Sequence, residues 1–169
     1  MIRLFGAVLV AAGTAWLGVR ASAALRDRVR ALEDMAEGLA LLEQELELDA
    51  PALPQLMERL AARVQGPARL LFQDCRRALD HLEEESFSMA WRRLTANREE
   101  LGEDGQQALF PLGDTLGRCG CQEQRKAVDC VRHRLKELAE QAEEVHRRQG
   151  KVYQILGVSG GAFLIILLV

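Results

Sequence analysis

Both ends of the chain are apolar and carry no charged residue over 4–19 and 152–169, whereas the middle is dense in arginine, glutamate and leucine. As helices, these segments rise about 24 and 27 Å, close to the ~30 Å hydrocarbon core of a bilayer. Flanking arginines can extend such a span by snorkelling. We therefore predict an all-α protein with transmembrane helices at 1–20 and 151–169 and a helical-bundle domain at 21–150.

Two other interpretations of the apolar ends stay open. The first is a cleaved signal peptide, because the Ala-Ser-Ala at 21–23 matches a small-x-small cleavage site. The long apolar run and the nearby Arg20 speak against cleavage. The second is a buried core helix, which the C-terminal segment fits poorly because 163–169 is apolar on every face.

The orientation follows from the positive charges beside the two segments. Cytosolic flanks of transmembrane helices carry an excess of arginine and lysine. Seven basic residues follow the first segment or precede the second: Arg20, Arg26, Arg28, Arg30, Arg147, Arg148 and Lys151. We therefore predict that the middle domain lies in the cytosol and that both termini lie across the membrane.

Glycines recur at helical spacing within the two predicted spans. Gly157 and Gly161 form a G-x-x-x-G pair that Gly160 widens, and Gly6 and Gly13 lie a heptad apart. Small residues let transmembrane helices approach closely. These glycines are either a packing face or ordinary glycine content, and the spacing alone does not decide between them.

Apolar residues in the middle domain recur with the helical period and predict about six helices. Short links between such helices favour antiparallel packing in a bundle. The six apolar patterns cover 25–46, 53–64, 71–82, 89–94, 109–116 and 128–145.

Local signals mark several ends of these helices. Ser86 or Ser88 can cap the fourth helix, and Asp104 resembles the start of a capping box that opens the fifth. Pro111 falls late in the fifth helix and predicts a kink.

Three cysteines and a histidine near the last helix have the composition of a zinc site. Cys119, Cys121, Cys130 and His133 follow the pattern C-x-C-x8-C-x2-H, but this spacing is not a usual zinc pattern. Cytosolic thiols are normally reduced. We therefore interpret them as structural or incidental thiols, with metal binding and redox chemistry as the alternatives.

The chain shows no motif of a familiar enzyme class, such as a P-loop, a G-x-S-x-G elbow or an HExxH pair. Its net charge is −3, and its arginines are interleaved with acids. This pattern indicates a solvated helical surface rather than a nucleic-acid site. We expect a protein that is not an enzyme and that has no cofactor, nucleic acid or small-molecule substrate.

Several segments in their order along the chain resemble stage III sporulation protein AB. These are the opening span, the Leu-x-x-Leu-Glu-x-Glu segment at 39–45 before the prolines, and Ala90-Trp91. The resemblance continues through 112–126 and through the Lys-Val-Tyr segment with its double glycine at 151–161. It extends over nearly the whole chain.

The resemblance implies a component of the channel complex between mother cell and forespore, anchored twice in the mother-cell membrane that faces the forespore. It also implies a cytosolic domain similar to the F component of type II secretion systems, which contacts a cytosolic ATPase. The implied partners are stage III sporulation protein AA, which is that ATPase, and other membrane proteins of the same complex. The alternative is a transmembrane scaffold or sensor that dimerises through its cytosolic domain.

The family-like segment before the last helix supplies the candidate contact residues. Gly113, Leu116, Gly117 and Gln124 either shape the turn between two helices or contact the ATPase, and exposed charge suggests a contact role for Arg125 and Lys126. The chain departs from the family at 118–121, where Arg-Cys-Gly-Cys replaces residues that are commonly polar and often acidic, so no binding role is assigned to these cysteines.

Overall fold

The computed structural model describes the backbone over 2–48, 52–81, 85–116 and 118–168, and side chains for the part of these ranges within 23–148. The described chain is all-α, with seven helices and no strand. The helices are α1 (Ile2–Leu48), α2 (Leu53–Arg63), α3 (Gly66–Ala78), α4 (Phe87–Ala96), α5 (Gly102–Leu109), α6 (Leu112–Thr115) and α7 (Cys121–Leu168). Short 3-10 turns stand at Leu79–His81 and Glu99–Leu101.

The chain divides into two compact units. One consists of Met1–Asp27 and Gln141–Val169, and the other of Arg28–Glu140. Among the residues whose side chains the structure describes, which lie within 23–148, no helix contains a stretch long and apolar enough to cross a membrane.

Several predictions for the ends of the chain lie outside the described side chains and stay predictions. They are the spans at 1–20 and 151–169, the associated domain limits, and the packing residues Gly6, Gly13, Gly157, Gly160 and Gly161.

The apolar seam of α1 lies in the core of the Arg28–Glu140 unit, as its helical spacing predicts. Leu32 and Leu39 are fully buried, and Leu46 nearly so. Gly38 brings α1 close to α3, because a Cβ there would lie 2.9 Å from the Cβ of Ala68 and 3.2 Å from the ring of Phe72. A larger residue at this position would force the two helices apart.

A buried carboxylate joins the end of α1 to α2. Glu45 is 8% exposed and accepts from Arg63 at 2.6 Å and from Arg59 at 3.4 Å. The two arginines are about half exposed, with side-chain exposures of 48% and 49%. The charge-assisted bonds therefore offset the desolvation of a carboxylate on an otherwise apolar helix face.

The predicted fifth helix is two helices, because it ends before Pro111. Pro111 stands at the N-cap of α6, where its missing N–H breaks no helical hydrogen bond. The break makes seven helices where six were predicted. The helical seam through Leu109, Leu112 and Leu116 is nevertheless buried as expected.

One of the two predicted helix caps is confirmed, and the other is wrong. Ser86 caps α4, since its hydroxyl accepts from the backbone N–H of Met89 at 3.4 Å. Asp104 does not open α5, because that helix begins two residues earlier at Gly102, without a side-chain cap. The Asp104 carboxylate instead pairs with Arg28 of α1 at 3.4 Å.

Candidate partner-binding surface

The turn between α6 and α7 follows a short helix that packs against a buried tryptophan. Trp91 of α4 is fully buried, and its indole N–H donates to the carbonyl of Leu109 at 2.8 Å. Gly113 lies directly against this ring, because a Cβ there would be 2.8 Å from Trp91 Cδ1. Leu116 is 1% exposed. Gly113 and Leu116 therefore position the turn from inside, and Gly117 lies outside the described residues.

The start of α7 closes the same turn and fastens it to α1. The amide of Gln124 donates to the carbonyl of Cys119 at 2.7 Å. Arg125 pairs with Glu47 at 3.2 Å. Gln124 and Arg125, both predicted contact residues, therefore stabilise the turn itself. The Arg125 side chain is also 37% exposed, so part of it is accessible to a partner.

Among the predicted contact residues that the structure describes, Lys126 faces solvent most openly. It is exposed and forms no ion pair with any residue whose side chain is described. Around it, Glu43, Gln122, Arg125 and Asp129 line one open depression of the surface. A lysine in such a place can change its pairing at little cost, because no internal contact has to break.

A polar cluster beside this turn was not predicted from the sequence. Asp114 of α6 accepts hydrogen bonds from the hydroxyl of Ser88 and, at 3.0 Å, from the guanidinium of Arg92. These bonds, with Arg92 and Arg118 as nearby positive charges, lower the pKa of Asp114. Arg92 also lies over the ring of Phe110, 5.9 Å from its centroid, at a cation–π distance.

The sequence signal for this cluster was present but incomplete. Asp114 lies within the family-like segment, and Arg118 stands at the departure from the family pattern. Ser88, however, is 26 residues away from Asp114, and helical periodicity carries no information about a partner at that separation.

The structure does not bring the four zinc-compatible residues together. Cys121 donates its thiol to the carbonyl of Leu46 at 2.9 Å, and Cys130 lies nine residues further along α7, about 13 Å along the axis. His133 is exposed and lies 3.2 Å from the Asp129 carboxylate. Within the described part of the chain, no three cysteine, histidine or acidic residues are grouped to hold a metal.

All four cysteines are free thiols, and one differs sharply in its surroundings. Cys75 is 1% exposed in α3, and burial, helped by the nearby Asp74, raises the pKa of its thiol to about 12. Desolvation disfavours the thiolate and makes this thiol unreactive in the folded protein.

These features define a class of protein, a helical-bundle domain whose exposed charges surround the α6–α7 turn. The family model for stage III sporulation protein AB matches residues 3–169. The chain therefore belongs to the stage III sporulation protein AB family, as the resemblance in its sequence predicted.

A solved structure described as stage III sporulation protein AB is similar to the chain, with a TM-score of 0.62. The likeness covers 72% of this chain and 97% of that one, and 21% of the aligned residues are identical. At this identity it supports the helical fold. A direct comparison with curated protein sequences gives no match.

Proposed function

We propose that the chain is a non-enzymatic membrane platform in the channel complex between mother cell and forespore. The observation that carries this proposal is the family match, which runs from residue 3 to residue 169 and so includes both apolar ends with the helical domain. The charge-free segments at 4–19 and 152–169 are long enough to act as its two membrane anchors.

In this proposal the helical domain lies in the mother-cell cytosol, on the side where the flanking arginines stand. The domain resembles the F component of type II secretion systems and engages a cytosolic ATPase, stage III sporulation protein AA, and other membrane proteins of the same complex. The support for engagement is a surface of exposed charge around the α6–α7 turn. Buried packing of Trp91 against Gly113 holds this surface in place.

Lys126 and the exposed edge of Arg125 are the proposed contact residues on this surface. Gly113, Leu116 and Gln124 contribute by shaping the turn, and a role for Gly117 stays a prediction. Charges at the rim of an interface mainly steer association and set its salt dependence. Contact through Lys126 should therefore weaken as salt screens it.

Co-purification of the ATPase with the full-length chain tests the proposal. Membranes that contain the chain should retain the ATPase and change its rate of ATP hydrolysis. Lys126→Glu should weaken retention about three- to tenfold, because it replaces the proposed attraction between Lys126 and an acidic group of the ATPase with repulsion. Lys136→Glu is the matched control, since Lys136 is also an exposed lysine of α7.

Two results would count against the proposal in different ways. Failure of the unmodified chain to retain the ATPase or to alter its hydrolysis would reject ATPase engagement. Equal weakening by Lys136→Glu would leave engagement intact but reject the surface around Lys126.

One observation favours a second candidate, a scaffold or sensor that dimerises through its helical domain. The apolar seam of α7 continues to Val145, yet Val145 is 46% exposed and Ala142 is half-buried. A second copy that packed on this seam would bury both residues. Val145→Glu should then shift a concentration-dependent dimer to monomer, measured by sedimentation of the full chain in detergent. Absence of a dimer would exclude this candidate.

A further inference from the structure

The charges near the end of α7 change sign over a short distance. Glu143 and Glu144 are followed one turn later by Arg147 and Arg148, on the side of the apolar segment 152–169. No acidic residue occurs after Glu144. The positive charge is therefore concentrated in the turns nearest to the proposed membrane span.

Some arginines near the two proposed spans form ion pairs within the protein, and others are exposed and available to a ligand. Arg148 pairs with Glu144 at 2.6 Å, and Arg28 pairs with Asp104 at 3.4 Å. Arg26, Arg30 and Arg147 are exposed and form no ion pair with any residue whose side chain is described. Asp27 follows Arg26 directly, and successive residues of a helix do not face each other.

Of these three, Arg26 and Arg147 belong to the same unit and lie close to the proposed spans, whereas Arg30 belongs to the other unit and lies eleven residues past the segment 4–19. Arg26 is seven residues past the segment 4–19, and Arg147 is five residues before 152–169. Along a helix these separations are about 10 and 8 Å, which is the range of the Debye length at physiological salt. At these distances from the proposed spans, salt only partly screens the attraction between the arginines and anionic lipid headgroups.

We infer that Arg26 and Arg147 form a surface that binds anionic lipid headgroups. This inference rests on the proposed membrane insertion and adds a preferred lipid class to it. Guanidinium groups form bidentate hydrogen bonds to phosphate, and each basic residue at a membrane surface stabilises contact with anionic lipid. Phosphatidylglycerol should therefore replace phosphatidylcholine beside the protein.

Spin-labelled lipids measure this preference on the full-length chain in vesicles. Lipids that touch a transmembrane protein give a motionally restricted component in the spectrum. The fraction of this restricted component is measured once with labelled phosphatidylglycerol and once with labelled phosphatidylcholine. The two fractions give the association constant of phosphatidylglycerol relative to that of phosphatidylcholine. We expect a value about two- to fivefold in favour of phosphatidylglycerol that falls at high salt. In Arg26→Gln/Arg147→Gln the excess of this value over one should fall by about half or more, with Arg20 and Lys151 still present beside the spans, and an unchanged value would overturn the assignment.

The control removes the same number of positive charges elsewhere. Arg69→Gln/Lys136→Gln changes two exposed residues of α3 and α7 that form no ion pair with a described side chain, and it should keep the preference. An equal loss of preference in this control would overturn the assignment to Arg26 and Arg147.

The remaining outcomes separate this inference from the proposed function. A restricted component of equal size for the two labelled lipids would overturn the lipid preference and leave the two spans standing. A spectrum without a restricted component for either lipid would contradict membrane insertion and, with it, this inference.

Discussion

Replacing Gly66 with alanine should destabilise the helical domain by about 2 kcal/mol. Gly66 begins α3 with a φ of +59°, and this left-handed conformation costs an L-residue about 1–2 kcal/mol. A Cβ at this position would also lie 2.1 Å from the Asp34 carboxylate. Displacing that carboxylate from the α3 N-terminus costs a further 0.3–1 kcal/mol, about the usual size of such a contact.

Alkylation of Cys75 provides the assay in the full-length chain. This thiol is buried within α3 and reacts only when the helix opens. A loss of 2 kcal/mol raises the open population, and hence the alkylation rate of Cys75, about 30-fold. Mass spectrometry of the Cys75 peptide separates this signal from that of the other thiols.

Two further variants make this prediction specific. Gly120→Ala meets no atom within 4 Å and should change the rate by less than about twofold. In a chain that already carries Asp34→Ala no carboxylate has to be displaced, so Gly66→Ala should add only the backbone cost of about 1–2 kcal/mol and raise the rate about 5- to 30-fold over Asp34→Ala alone. A rate for Gly66→Ala equal to that of the unmodified chain and of Gly120→Ala would refute the reasoning.

Three other predictions concern the core, the polar cluster at Asp114 and the thiols. Trp91→Phe removes the indole donor to the buried Leu109 carbonyl and should cost about 1–3 kcal/mol, which urea unfolding measures. Asp114→Asn should lower stability at neutral pH. Its effect should disappear as pH falls through the lowered pKa of Asp114, because a depressed carboxyl pKa stabilises the folded state only above that range. A thiol reagent should label the exposed Cys130 in the folded protein well before Cys75, and equal rates would contradict the buried site.

Helical periodicity was sufficient to predict most elements of the domain. The apolar spacing identified the core side of α1, and Leu32, Leu39 and Leu46 are buried there. It failed at the far end of α7, where Val145 continues the pattern but is 46% exposed. A periodic pattern indicates which face of a helix is apolar, but it does not indicate how far a neighbour covers that face.

Helix ends were harder to predict because they depend on single residues. Gly66, two residues past the predicted apolar pattern at 53–64, is the first residue of α3, and the apolar spacing does not indicate this start. Asp104 has the residue type of a cap, but its carboxylate pairs with Arg28, 76 residues earlier in the chain. Local signals cannot decide between a cap and a tertiary partner of this kind.

The sequence predicted where the candidate surface lies, but not which of its residues are buried and which face solvent. The family-like segment pointed to the α6–α7 turn. It did not separate residues that lie inside, such as Gly113 against Trp91, from residues that face solvent, such as Lys126. That separation requires packing between helices that are distant in sequence.

The central claim is that two membrane spans hold the helical domain on the cytosolic side, and thiol accessibility tests it most directly. All four cysteines lie between residues 75 and 130, and Cys130 is exposed. In protoplasts of non-sporulating cells that express the chain in their single membrane, a membrane-impermeant maleimide should leave Cys130 unlabelled while the cells are intact and label it after permeabilisation, whereas tags on both termini are accessible from outside throughout. Labelling of Cys130 in intact cells, or tags that become accessible only after permeabilisation, would contradict the account.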